Sequence, residues 1–187
     1  MSALPRVLLT GGTGQVGWEL RRALAPFAEV VAPPRGELDL RDAGALRRAV
    51  RELRPAAVVN AAACTQVDRA EAEPELADAV NGAAPGVLAR EAARAGALLV
   101  HFSTDYVFGG DGRRPYREDD PPDPLGVYGA SKLRGEREVA AAGGPHLVLR
   151  VAWVYGARGR NFLRTVLRAA RAGEALRVVD DQVGAPT

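Results

Sequence analysis

Arg6-Val-Leu-Leu-Thr-Gly-Gly-Thr-Gly-Gln-Val-Gly17 is the stretch on which the reading of the fold turns. Residues 6–10 form a short apolar run of strand type. They lead directly into Gly11-Gly12-Thr13-Gly14-Gln15-Val16-Gly17, and 14–25 read as a helix. Two registers fit the glycines: Gly12, Gly14 and Gly17 make GxGxxG, while Gly11, Gly14 and Gly17 make GxxGxxG. Glycines permit a tight turn and let backbone approach a pyrophosphate. The helix start then offers free N–H groups and the positive end of its dipole. A plain tight turn is the alternative, and the strand–loop–helix setting is what favours phosphate.

Outward from this stretch, apolar strand-like runs alternate with helical ones. Strands are predicted at 29–32, 56–60, 97–102, 146–151 and 176–179, six with the first. Helices are predicted at 42–53, 73–95, 126–141 and 161–172, the second of these kinked near Gly82 and Pro85. A Gly/Pro/Asp-rich loop fills about 109–124. The strands are continuously apolar rather than alternating, which marks a parallel sheet buried on both faces. The predicted architecture is a doubly wound α/β fold of Rossmann type, with 1–187 as one NAD(P)-binding domain. Thr187 would cap a further helix. The chain therefore reads as interrupted rather than finished.

Composition narrows the function classes. The chain has 187 residues, 47% hydrophobic, with a formal net charge of +2. Its arginines are spread over helical stretches, as at Arg47, Arg48 and Arg51, so no nucleic-acid partner is expected. Cys64 is the only cysteine, which rules out an intrachain disulfide. No apolar run approaches the roughly 18 residues of a membrane span, and no signal-peptide pattern opens the chain. A cytoplasmic protein without a membrane partner is the expectation. Lys132 is the only lysine beside two dozen arginines, which suggests a place where a guanidinium cannot stand in for an ammonium.

That lysine has a partner. Tyr128 and Lys132 form Y-x-x-x-K, so on a helix they share one face. A tyrosine, with a pKa near 10, must be helped to protonate a carbonyl oxygen near neutral pH. A close ammonium would favour the phenolate and lower that pKa. The lysine could also hold a nicotinamide ribose. An ordinary helix contact is the alternative. Ser103-Thr104-Asp105 ends the fourth predicted strand, at the edge where open α/β sheets place ligands. Thr104 could donate to a substrate carbonyl; taken alone, the tripeptide reads as a strand-end turn. After the second strand stands Arg35 and no carboxylate, which suits a 2′-phosphate and hence NADPH, with NADH as the other carrier. A surface arginine in a turn is the alternative. Asp39 is better placed for the adenine edge. His101 and His146 match no metal or base role and are read as structural, and no metal site is assigned.

Finer motifs follow in order: Asn60-Ala-Ala-Ala-Cys-Thr-Gln-Val-Asp68, Ser103-Thr-Asp-Tyr-Val-Phe108, Val127-Tyr-Gly-Ala-Ser-Lys-Leu133, Trp153-Val-Tyr-Gly156, Asn161-Phe162 and Asp181-Gln-Val-Gly-Ala-Pro-Thr187. Together with the glycine loop they resemble the extended short-chain dehydrogenase/reductases, and within them the dTDP-4-dehydrorhamnose reductase family. The resemblance implies NADPH-dependent reduction of the 4-keto group of dTDP-4-dehydro-L-rhamnose to dTDP-L-rhamnose, a nucleotide-linked 4-keto-6-deoxysugar being the substrate class. Thr104, Tyr128 and Lys132 would be the catalytic triad. Gly11, Gly14, Gln15, Val16, Gly17, Asp39, Leu40, Ala61, Ala62 and Ala63 would line the cofactor with Tyr128 and Lys132. Thr65, Val67, Asp105, Tyr106 and Trp153 would face the sugar, although a tryptophan after a buried strand is otherwise more often core. Cys64 stands where that family usually has tyrosine, and Val151-Ala152 replaces its usual Thr-Ser. The resemblance also implies a C-terminal substrate-binding part that would lie beyond Thr187, and a homodimer is the assembly admitted. A sugar-nucleotide epimerase or dehydratase on the same scaffold is the rival enzyme. A regulatory subunit that binds dinucleotide without turnover is the rival from another class, and the intact triad argues against it.

Overall fold

The structure, a computed structural model, describes residues 3–187. Its strands are β1 (Arg6–Thr10), β2 (Glu29–Val31), β3 (Ala57–Asn60), β4 (Leu98–Thr104) and β5 (His146–Val151). All pair in parallel, in the order β2-β1-β3-β4-β5. The chain turns to one side after β1 and to the other after β2. That reversal opens a crevice beyond the carboxyl ends of β1 and β3.

The helices are α1 (Gln15–Leu24), α2 (Ala43–Leu53), α3 (Val67–Ala72), α4 (Pro74–Ala77), α5 (Ala84–Ala95), α6 (Val127–Ala141) and α7 (Phe162–Ala172). Successive strand residues supply opposite faces. Leu8, Val58 and Leu99 pack with Leu46 and Val50 of α2, Leu88 of α5 and Val139 of α6. Val7, Leu9 and Val59 pack on the other face with Leu20 and Leu24 of α1. Each such leucine or valine contributes about 1.5–3 kcal/mol through burial. Both faces are used, which is why the strands read as unbroken apolar runs. The doubly wound reading holds.

Three details differ from expectation. The sheet ends at β5: among the described residues no sixth strand forms, and Leu176, Val178 and Val179 are 42%, 55% and 65% exposed. Apolarity alone does not make a strand; these residues pair with no neighbour, and a strand exists only through its ladder. The helix expected from 73 begins earlier, as α3. Its kink is a π-helical segment, Asp78–Ala83, between α4 and α5. Lastly, β4 runs two residues further than expected, so Ser103 and Thr104 belong to the sheet and pair with Arg150 and Val151.

Candidate active site

The glycine loop is built by backbone packed on backbone. Gly11 has φ +74°, and a Cβ there would lie 2.6 Å from the Ala62 nitrogen. A Cβ on Gly17 would lie 2.1 Å from the Gly11 carbonyl oxygen. Neither position accepts a side chain, so β1, α1 and the strand-end of β3 close to a spacing only glycine permits. The Gly14 N–H donates to the Gly11 carbonyl at 2.9 Å and fixes the turn.

This loop forms one wall of a cleft of about 630 Å³. Gly11, Gly14, Gln15 and Val16 line it, with Arg35, Asp39 and Leu40 beyond β2 and Ala61, Ala62 and Ala63 after β3. Thr65, Val67, Thr104, Asp105, Tyr106, Tyr128, Lys132 and Trp153 complete the predicted set on its walls. Gly17 alone does not face the cleft; it is buried beneath the loop against Gly11.

Inside the cleft the local chemistry differs in places from the sequence expectation. Tyr128 and Lys132 lie one turn apart on α6. Lys132 is 2% exposed, and its ammonium donates to the Phe102 carbonyl at 2.5 Å. Burial pulls its pKa down to about 8, opposed by Glu136. The Tyr128 phenol is held above its ordinary value, chiefly by burial, with Thr104 pulling the other way and Asp105 adding to the rise. The expected lowering by Lys132 is thus not what this arrangement produces: the ammonium is turned to the β4 backbone. The Thr104 hydroxyl donates to Asp105 at 3.2 Å and accepts from the Tyr106 N–H at 3.2 Å, so its single proton is engaged within the turn. Tyr106 stands edge-on to Tyr128, centroids 5.6 Å apart.

At the far end Asp39 accepts from the Arg41 N–H at 2.9 Å and from its guanidinium. Those hydrogen bonds hold Asp39 at about 2. Arg35 lines the cleft and approaches the same carboxylate at 3.9 Å with a side chain 67% exposed. Trp153 is 44% exposed, lines the cleft and has φ +46°, so it is not a core tryptophan.

Several contacts escaped the sequence reading. Asn81, fully buried in the π segment, accepts from the Cys64 N–H at 2.8 Å and donates to the Cys64 carbonyl at 3.0 Å and to Ser131 at 3.1 Å. It ties the wall after β3 to α6, and the irregularity at Gly82 and Pro85 was its only signal. Gln15 accepts from Asn161 at 2.7 Å and donates to the Arg160 carbonyl at 3.1 Å. Ser103, 3% exposed on the cleft wall, is the one buried side-chain oxygen among the described residues without a partner. The glycine cradle and this orphaned hydroxyl fit a polar ligand with a phosphate end. Among the described residues no cluster suited to a metal ion occurs.

Residues 5–187 match the family model of the RmlD substrate binding domain. The chain belongs to that family. It is 53% identical over 182 residues to a dTDP-4-dehydrorhamnose reductase of Burkholderia thailandensis, covering 97% of this chain and 61% of that protein. It is 45% identical to the dTDP-4-dehydrorhamnose reductase of Escherichia coli K12, covering 97% of this chain and 62% of that one. The crystal structure of a dTDP-4-dehydrorhamnose reductase from Bacillus anthracis in complex with NADP superposes with a TM-score of 0.95 at 37% identity, covering 100% of this chain and 67% of that one. The family resemblance drawn from the motifs is borne out. The chain spans a little over three fifths of the length of the curated relatives it matches. No helix among the described residues is long and apolar enough to cross a membrane.

Proposed function

We propose that this chain carries the cofactor-binding and catalytic half of an NADPH-dependent oxidoreductase that reduces the 4-keto group of dTDP-4-dehydro-L-rhamnose to give dTDP-L-rhamnose. The observation that carries the reading is the convergence in one cleft of the glycine cradle with Thr104, Tyr128 and Lys132.

The pyrophosphate would rest on Gly11 and Gly14, with Gln15 and Val16 beside it. Leu40 and Asp39 would meet the adenine, and Arg35 would take the 2′-phosphate. Ala61, Ala62 and Ala63 would line the middle of the cofactor. Bound NADPH would supply a hydride to the sugar C4. The remaining chemistry belongs to the protein. Burial keeps the Tyr128 phenol protonated at neutral pH, so it holds a proton for the oxygen that becomes negative at C4. Lys132 supplies positive charge below it. Thr104 can polarise the carbonyl once its hydroxyl turns from Asp105. Thr65, Val67, Asp105, Tyr106 and Trp153 would meet the sugar. Residues 1–187 form the NAD(P)-binding domain in this reading. The nucleotide of the sugar is held by a further substrate-binding region of the kind the longer relatives have room for. Two copies associate, which sedimentation would measure, and the activity is cytoplasmic.

The test is NADPH oxidation with dTDP-4-dehydro-L-rhamnose beside other nucleotide-linked 4-keto sugars, the product identified by NMR. Turnover to dTDP-L-rhamnose is expected. No oxidation with any 4-keto sugar would remove the reading.

A further inference from the structure

A second pattern runs along the sheet beside the cleft. On the face covered by α2, α5 and α6, Leu8, Val58 and Leu99 stand in register across β1, β3 and β4. Two residues further on, the same register holds Thr10, Asn60 and His101. The apolar row thus ends in a polar one, and all three of its members are buried, at 2%, 1% and 0% exposure. Lys132 of α6 closes the row, its Nζ 3.5 Å from His101 Nε2. Buried polar groups are costly unless paired, so a row of four in the core calls for an account beyond packing.

The hydrogens decide what the row does. Thr10 Oγ1 lies 2.6 Å from Asn60 Oδ1, and Asn60 Nδ2 lies 3.1 Å from His101 Nδ1. With the amide so turned, Nδ1 accepts, and a neutral ring then carries its hydrogen on Nε2, facing an ammonium that can only donate. The two ends of a carboxamide have nearly the same shape. Turned over, Asn60 donates to Thr10 and accepts from Nδ1–H, and Nε2 is free to accept from Lys132. Only this arrangement satisfies the row while Lys132 is charged. It needs a neutral imidazole, and burial together with the Lys132 charge pulls His101 down to about 2.

We propose that His101 is a positioning residue for Lys132: its Nε2 accepts one ammonium hydrogen, the Phe102 carbonyl accepts a second, and the third is left for the cleft. Thr10 and Asn60 fix the tautomer that makes this possible. The histidine thereby joins Glu136 in offsetting the burial that disfavours the ammonium charge. Its importance for turnover rests on the reading of Lys132 given above, but the arrangement itself is a property of the protein alone. Other ionisable groups around α6 are accounted for. Glu136 on the same helix also favours the Lys132 charge but is itself paired with Arg150 of β5; Asp78 of the π segment is paired with Arg134, and Glu138 with Arg90 of α5. Glu71 of α3 accepts from the Val127 N–H. Asp105 and Tyr128 lie on the cleft side.

NMR without cofactor tests this directly, and its failure is distinct from failure of the reductase reading. Lys132 is the only lysine of the chain, so ¹³C-lysine labelling yields one titrating resonance, absent in Lys132→Arg. ¹⁵N-histidine labelling reports the tautomer of His101, assigned by its loss in His101→Gln. The expected result is hydrogen on Nδ1 and a lysine midpoint near 8. His101→Met should lower that midpoint by about one unit, roughly a ten-fold easier deprotonation. His101→Gln, whose carboxamide oxygen can accept, should recover most of the difference. Hydrogen on Nε2 in the parent protein overturns the proposal even if the methionine variant does not fold. An unchanged midpoint in the methionine variant, or equal lowering in both variants, overturns it as well.

Discussion

Helices α2 and α7 follow the same local rules and come to different ends. Each has eleven residues. Asp42 caps the first by accepting from the Ala45 N–H, and Asn161 caps the second by accepting from the Arg164 N–H. Each closes on a left-handed residue, Arg54 with φ 47° and Gly173 with φ 67°. Yet α2 seals Leu46 and Val50 completely, whereas α7 buries only Ala169 and leaves Phe162, Leu163 and Leu167 exposed at 63%, 44% and 47%. Caps and amphipathic spacing start and stop a helix. Its hold on the molecule comes from what covers the apolar stripe. The region around α2, α5 and α6 is therefore the firm half, and the segment from Trp153 onward the lightly held one.

Leu46→Ala strikes the firm half at its centre. It should cost about 2–5 kcal/mol of stability, as truncation of a sealed leucine does, and chemical denaturation measures it. A loss below 1 kcal/mol would mean that α2 is as lightly held as α7. Tyr128→Phe tests the chemistry mounted on that half. Turnover should fall by on the order of 10²-fold or more, with dinucleotide affinity and melting temperature kept; near-normal turnover would take Tyr128 out of the proton transfer.

Acid probes the same half in another way. The unfolded chain protonates His101 near 6.5, the folded chain only near 2. The unfolded state therefore binds more protons within that window, and stability falls as pH drops below 6.5. His101→Gln should flatten this slope between pH 6.5 and 5, seen in denaturation midpoints. Equal slopes in the two proteins would show that the imidazole is not sealed. The smallest effect belongs to Leu167→Ala, expected to shift stability by no more than about 0.5 kcal/mol. A core-sized loss there would erase the contrast between the two helices.

The firm half was the legible one. Continuous apolar runs, the glycine run and the Tyr128–Lys132 spacing are local signals, and tertiary packing agrees with them. The 176–179 run misled because its apolarity resembles that of β5 while pairing depends on a neighbour no local pattern encodes. The β4 boundary slipped because Ser103 and Thr104 carry turn chemistry inside a ladder. In the site, residue types were readable but proton positions were not. The direction of the Tyr128 shift follows from burial and from where the Lys132 ammonium turns, both tertiary facts. His101 read as structural because its partners, Asn60 and Lys132, lie 41 and 31 residues away.

The side chain of Gln15 sits at the start of α1 and grips the cap of α7 through Asn161 and the Arg160 carbonyl. The phosphate loop and the lightly held helix thus share one amide. Linkage between two such equilibria is reciprocal. Whatever factor the docked helix adds to affinity at the loop, a ligand at the loop returns to the docking of the helix. A lightly held helix is in this way wired to a turn of backbone packed on backbone.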